Sequence, residues 1–311
     1  MAQALHGRKV KATWGGVRVG TAVAMFTLCG AGALGQENSA QITDAQAIET
    51  ARKLKDEIVQ KLSVKLVTEE SEHFMVHSDA PASEIRAVLK DGEAVYKKLD
   101  KKVGGLFPID AETKPWKGKY VVLLFKNRQE YTDYWYKMRG SSGALAGSQG
   151  TRFAPGIRGY VANATPGRES DESGDLYFYL SGLLLSGYAK DTRLPAWVEM
   201  GFVMYTCDVL AREHQDAERA RRRVKTIISQ GGQRTFQAIR DTASWPHTDM
   251  DGRRLCFSLV DFMMSKNQEN FVRFVDSLKS GTSLDDVIRN IFGVDAAQFE
   301  KDWLAYIVKK Y

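Results

Sequence analysis

From Asp44 onward the apolar residues follow two periods, and these divide the chain into two unlike halves. Ala47, Ile48, Ala51, Leu54, Ile58 and Leu62 recur at three- and four-residue spacing, which predicts a helix over 44–62 with one buried stripe. Val64 to Val67 and Phe74 to His77 then read as two short strands. Ser83 is a suitable N-cap for a helix running to about Lys102, with Ile85, Val88, Leu89, Val95 and Leu99 on one face. The continuous apolar run from Tyr120 to Phe125 predicts a strand covered on both faces. An aromatic-rich helix is expected over Arg128 to Met138.

The stretch from Gly140 to Gly174 breaks the pattern. It holds eight of the 27 glycines, which marks it as loop, and only Gly159, Tyr160, Val161 and Ala162 suggest a strand within it. Beyond Asp175 the pattern is helical almost throughout. Helices are predicted over Tyr177–Ala189, Pro195–Leu210, His214–Ser229, Leu255–Ser265, Asn267–Leu278, Leu284–Ile291 and Ala296–Val308. Strands mixed with helices, then helices alone, indicate an α+β architecture.

Charge changes the picture only at the N-terminus. Residues 1–35 carry Arg8, Lys9, Lys11 and Arg18, no acid, and an apolar stretch from Val19 to Leu34. This is the pattern of a secretory signal, with Ala33-Leu34-Gly35 before Gln36 as the cleavage site; an uncleaved anchor is the alternative. Losing those four basic residues lowers the net charge from +6 to +2. The basic character therefore belongs to the leader, and a nucleic-acid partner is not indicated. The expected location is the periplasm or the extracellular space. The expected organisation is a signal peptide over 1–35, an N-terminal helix and linker over 36–69, and a domain over 70–311. Export also leaves only Cys207 and Cys256, which either pair or stay as small buried apolar groups.

Candidate chemistry is sparse. His73 and His77 have the spacing of a helical metal pair but fall on a predicted strand. There, four residues span roughly 13 Å, too far to share one ion, and a strand-surface position is expected for both. His214 and His247 sit in polar surroundings that favour solvation. There is no Gly-x-Ser-x-Gly elbow and no phosphate-binding glycine loop. Asp171, Glu172 and Asp175 form an acidic group expected to be solvated, as is the basic run Arg219, Arg221, Arg222, Arg223 and Lys225.

The segment Leu194-Pro195-Ala196-Trp197-Val198-Glu199-Met200-Gly201-Phe202-Val203-Met204-Tyr205 is more specific. It resembles a signature of the peptidase MA-like domains, gluzincin-type zinc-peptidase relatives common in exported bacterial proteins. Leu194, Pro195, Trp197, Gly201 and Tyr205 carry the match. The flanks 73–79, 120–131 and 257–306 are similar in order and spacing, so the resemblance covers about residues 70–310. It implies a zincin-like α+β fold: a small mixed sheet with helices in the first half, then a mostly helical second half.

The resemblance also implies a zinc site, and there the chain departs from the family. The slot for His-Glu-x-x-His falls within 177–188, yet 174–194 contains neither His nor Glu. The third-ligand Glu should directly precede Gly201, where Met200 stands; Glu199 is one residue early, a rotation of roughly 100° on a helix. A thioether is a poor partner for zinc beside hard ligands. The expectation is a peptidase-like exported protein without catalytic residues, metal or cofactor, with a binding or structural role at the cell envelope. Ser181, Leu184, Leu185, Trp197, Glu199, Met200, Gly201 and Tyr205 would mark the vestigial centre. Gly159, Tyr160, Val161 and Ala162 would form an edge strand able to accept a peptide or a segment of an envelope protein. The alternatives are a hydrolase of another class in the same cleft, through Asp175, Glu199 or Tyr205, and a zinc peptidase with unorthodox ligands.

Overall fold

A computed structural model describes residues 42–104, 106–107, 116–140, 148–154, 157–163, 172–188, 194–211, 215–230, 236–240 and 250–311. The leader expected over 1–35 lies outside them. Among the described residues no helix is long and apolar enough to cross a membrane.

Helix α1 (Asp44–Leu62) begins at a capping box: Thr43 accepts from the Gln46 amide while the Gln46 side chain accepts from the Thr43 amide. Strands β1 (Val67–Glu70) and β2 (Phe74–Ser78) form an antiparallel pair. Helix α2 (Ala82–Leu99) continues as a π-helical turn over Asp100–Gly104. Its N-cap is Pro81, without a side-chain cap bond, so Ser83 does not take the predicted capping role. Strand β3 (Tyr120–Phe125) is buried at every position, as its continuous apolar run requires. Helix α3 (Arg128–Asp133) passes into a π-helical turn over Tyr134–Met138.

The glycine-rich stretch holds more structure than its composition suggests. Strands β4 (Ser148–Ala154) and β5 (Ile157–Asn163) form a hairpin, and α4 (Glu172–Gly187) starts five residues before the predicted Tyr177. The five strands lie in the order β1-β2-β3-β5-β4. The central pairings β2–β3 and β3–β5 are parallel, and both outer pairings are antiparallel.

Alternation along β3 sends its side chains to two cores. Val121 packs with Met75, Ile157, Ala47 and Ala51, while Leu123 and Phe125 pack with Ile58, Val161, Tyr131, Tyr134 and Trp135. Tyr120, Val122 and Leu124 face the larger core, with Phe74, Val76, Tyr160, α2 and α4. Helix α1 therefore covers one sheet face and belongs to the same unit, and the expected boundary at 69/70 falls inside β1.

The second half is helical. It comprises α5 (Ala196–Tyr205) with a π-helical turn over Thr206–Ala211, α6 (Gln215–Ser229), α7 (Phe236–Arg240), α8 (Met250–Lys266), α9 (Gln268–Lys279), α10 (Leu284–Phe292) and α11 (Ala296–Lys310). The short α7 was not expected from the pattern. Helix α8 is buried continuously from Leu255 through Met264, and α5, α6, α9 and α11 pack against it. The observed class is α+β: a small mixed sheet, then helices.

Candidate functional site

The centre singled out by sequence lies between α4 and α5. Ser181, Leu184, Leu185, Trp197, Met200 and Gly201 are all buried. Trp197 stands edge-on to Phe236, with ring centroids 5.7 Å apart, and tilts against Phe274 at 6.0 Å. Gly201 sits where α5 meets α8. A Cβ there would lie 2.4 Å from the Cys256 carbonyl oxygen and 2.7 Å from Val260 Cγ2. Close helix packing alone thus requires glycine at that position.

The polar groups at this centre engage one another. Ser181 Oγ donates to the Tyr177 carbonyl at 2.6 Å, and Thr206 Oγ1 lies 2.8 Å from both Ser181 Oγ and the Val203 carbonyl. Each hydroxyl carries one proton, so Ser181 spends its own on Tyr177 and accepts from Thr206. Glu199 lies half-buried between the buried Val198 and Met200. Tyr205 is half-buried, and burial followed by the charge of Asp261 raises its phenol pKa. A catalytic zinc ion requires imidazole, thiolate or carboxylate donors converging on one point. Two mutually bonded hydroxyls, two leucines and a methionine do not fit that ion.

The strand expectation needs correction. Gly159, Tyr160, Val161 and Ala162 belong to β5, which pairs with β3 on one side and β4 on the other. They are interior to the sheet, and a Cβ on Gly159 would lie 1.8 Å from the Val121 carbonyl oxygen. Among the described residues the outermost strands are β1 and β4. The two edges differ in chemistry. Strand β1 carries Glu69, paired with Arg86, and Glu70, paired with Arg52 and Lys119. Strand β4, Ser-Gln-Gly-Thr-Arg-Phe-Ala, has one charged residue and no proline. A register irregularity interrupts its pairing between Arg152 and Ala154, and Ala154 then pairs with Ile157.

The histidines also depart from expectation. His77 is not on a surface; it is fully buried, on the face of β2 that meets α1. Its Nε2 lies 3.0 Å from the Ala51 carbonyl and its Nδ1 2.9 Å from Thr68 Oγ1. With Nε2–H donating and Nδ1 accepting, the neutral ring is satisfied at both nitrogens. Burial pushes its pKa down from 6.5 to about 4, with the Ala51 hydrogen bond opposing and Lys55 assisting. His73 precedes β2 and stacks on Tyr96, with centroids 3.9 Å apart. Its Nδ1 lies 2.7 Å from Glu93 Oε2, and its backbone N–H donates to Glu93 Oε1 at 2.8 Å. Burial pushes the Glu93 pKa up, but the nearby Ser71 hydroxyl and the hydrogen bonds from His73 outweigh it and hold it below the usual value. His73 and His77 thus have separate partners. His214, His247 and Asp171 lie outside the described residues, while Glu172 and Asp175 fall in the first turn of α4.

The sequence reading missed the buried charges Asp208, Asp261 and Lys279, of which Asp261 has the most fully described partners. Asp261 on α8 accepts a two-point contact from Arg221, Nε at 3.2 Å and a terminal nitrogen at 3.0 Å, together with the hydroxyls of Tyr306 at 3.1 Å and Tyr311 at 2.9 Å. Arg221 is thereby withdrawn from the basic run, whose members Arg219, Arg222, Arg223 and Lys225 stay exposed as expected. The signal was present: a lone Asp inside Leu-Cys-Phe-Ser-Leu-Val-Asp-Phe-Met-Met requires a buried partner. Cys207 and Cys256 are both buried thiols, which resolves the open pairing question against a disulfide between them. Searches of protein-family models and of curated proteins each returned no match to this chain.

Proposed function

We propose that this chain is a non-catalytic, zincin-like protein related to the peptidase MA-like domains, exported to the cell envelope, that binds an extended peptide along the outer edge of β4. The observation that carries the non-catalytic part is the closed centre between α4 and α5. There Ser181 and Thr206 bond each other, and Leu184, Leu185, Trp197 and Met200 fill the surrounding core. Hydroxyls bonded to each other and apolar side chains offer neither the donors that hold a catalytic metal nor a general base to activate water. The α+β arrangement and the order of the matched motifs support the family reading, and the leader pattern supports export.

Binding at β4 follows from the contrast between the two edges. An open strand edge presents a row of backbone donors and acceptors, and proteins that must avoid pairing place charge or proline there. Strand β1 has that protection in Glu69 and Glu70, whereas β4 is nearly uncharged. A peptide added there gains main-chain hydrogen bonds with little demand on its sequence, which suits unfolded or extended segments.

The test uses fluorescent unstructured peptides and the same peptides N-methylated at alternate residues. Saturable binding that N-methylation abolishes, with peptide mass unchanged after long incubation, is the expected result. Gly150→Pro and Thr151→Pro probe neighbouring backbone positions of opposite direction. The variant that keeps wild-type stability should lose binding, because its missing N–H faces outward. Equal binding of methylated and unmethylated peptides, or no binding by any of them, removes the edge reading. Peptide cleavage by the purified chain removes the non-catalytic one.

A further inference from the structure

The loop between β1 and β2 holds a second cluster, remote in sequence from the α4–α5 centre and independent of the reading above. Three side chains converge there: Glu72, His73 and Glu93, each offering one ligand atom, all within 4.8 Å of one another. The imidazole of His73 is held at its face and at one nitrogen: it stacks on Tyr96 at a 20° interplanar angle and its Nδ1 meets Glu93 Oε2, while the backbone N–H of His73 itself donates to Glu93 Oε1. Fixing Nδ1 against a carboxylate selects the tautomer with its proton on that nitrogen. This leaves the Nε2 lone pair uncommitted, with Glu72 Oε1 4.0 Å away. The Glu72 side chain is 83% exposed, so closing that gap costs little packing.

We propose that Glu72, His73 and Glu93 form a transition-metal site, with His73 Nε2 and Glu72 as direct ligands and Glu93 orienting the imidazole from behind. A carboxylate behind a ligating histidine raises ring basicity and fixes its direction, and this arrangement recurs in metal sites. Imidazole with carboxylate suits zinc and its neighbours in the first transition row rather than calcium or magnesium, which take all-oxygen shells. Two protein ligands leave coordination positions for water or for a donor from a partner. The site is therefore one of moderate affinity, reversible, and placed where β2 enters the sheet.

The test is titration of the purified full chain with Zn2+ by calorimetry, and with Co2+ by visible absorption. The wild type should take up one saturable equivalent at this site, with Co2+ bands of nitrogen–oxygen ligation and no thiolate charge transfer. His73→Ala should abolish that equivalent. Glu72→Gln, at an exposed position that leaves folding intact, should weaken it at least tenfold. Glu93→Gln should weaken it by about 10–100-fold, as expected of a group that supports a ligand. Circular dichroism of each variant checks that the fold persists. Absence of saturable uptake overturns the proposal, and so does uptake that His73→Ala and Glu72→Gln leave unchanged. Either outcome leaves peptide binding at β4 unaffected, so the two readings fail separately.

Discussion

His77 makes stability depend on acidity in a calculable way. The ring is fully buried between β2 and α1, neutral, and bonded to Ala51 and Thr68. Its folded-state pKa is about 4 against an unfolded value of 6.5. The unfolded chain therefore takes up a proton as pH falls below 6.5, while the native chain resists until about pH 4. Protonation favours the unfolded state across that window, and stability that is complete above pH 6.5 drains away on the way down. The gap corresponds to about 3 kcal/mol, a substantial part of a typical domain's stability. Lys55 adds to the effect, whereas Glu70 and Asp56 oppose it. The assay is urea unfolding at closely spaced pH values from 7.5 to 4, on the wild type and on His77→Gln. The glutamine cannot titrate, so the measured quantity is the difference between the two profiles. That difference should shrink by about 3 kcal/mol between pH 6.5 and 4. Parallel profiles would refute the reasoning, as would a His77 ring that titrates near 6.5 by NMR.

Other outcomes follow from single contacts. Gly201→Ala should destabilise by about 1–3 kcal/mol in chemical denaturation, because its methyl group meets the Cys256 carbonyl, which is backbone and gives way reluctantly. Asp261→Asn should cost about 3 kcal/mol, since it leaves Arg221 partly buried without its counter-charge and weakens the anchoring of Tyr306 and Tyr311. The same change should make the C-terminal turn of α11 exchange its amide protons faster. Cys256 should resist iodoacetamide in the native protein at pH 8 and react on unfolding, because burial pushes its thiol pKa well up; rapid native labelling would contradict that burial.

Much of the architecture could be read without a structure. The strand at Tyr120–Phe125 was plain because a run of six apolar residues has few other homes, and its burial on both faces followed. The helices of the second half matched their apolar stripes to within a few residues, with caps at Asn267 and Ser283 that accept from the backbone as their residue types predict. The hairpin β4–β5 was half missed. Ser148 to Ala154 has little of the β-branched or aromatic content that marks a strand alone, and it exists because β5 offers it a partner. The edge was misassigned for a related reason: which strand lies outermost depends on the order of pairing, which no local pattern encodes. The His-x-x-x-His spacing at 73 and 77 correctly ruled out one shared ion but not the burial of His77, since that depends on a carbonyl 26 residues away.

The sequence by itself determined the periods, hence which segments are helix or strand, and the absence of His and Glu from 174–194. These are properties of near neighbours and of composition, and each can be counted along the chain. Tertiary structure alone decided that Asp261 would collect Arg221, Tyr306 and Tyr311, that Gly201 would be demanded by α8, that Glu93 would stand behind His73, and that β4 would be the uncharged edge. Those outcomes join residues from 20 to 55 positions apart. Their free energies arise only once packing has removed water and brought the partners within a few ångströms.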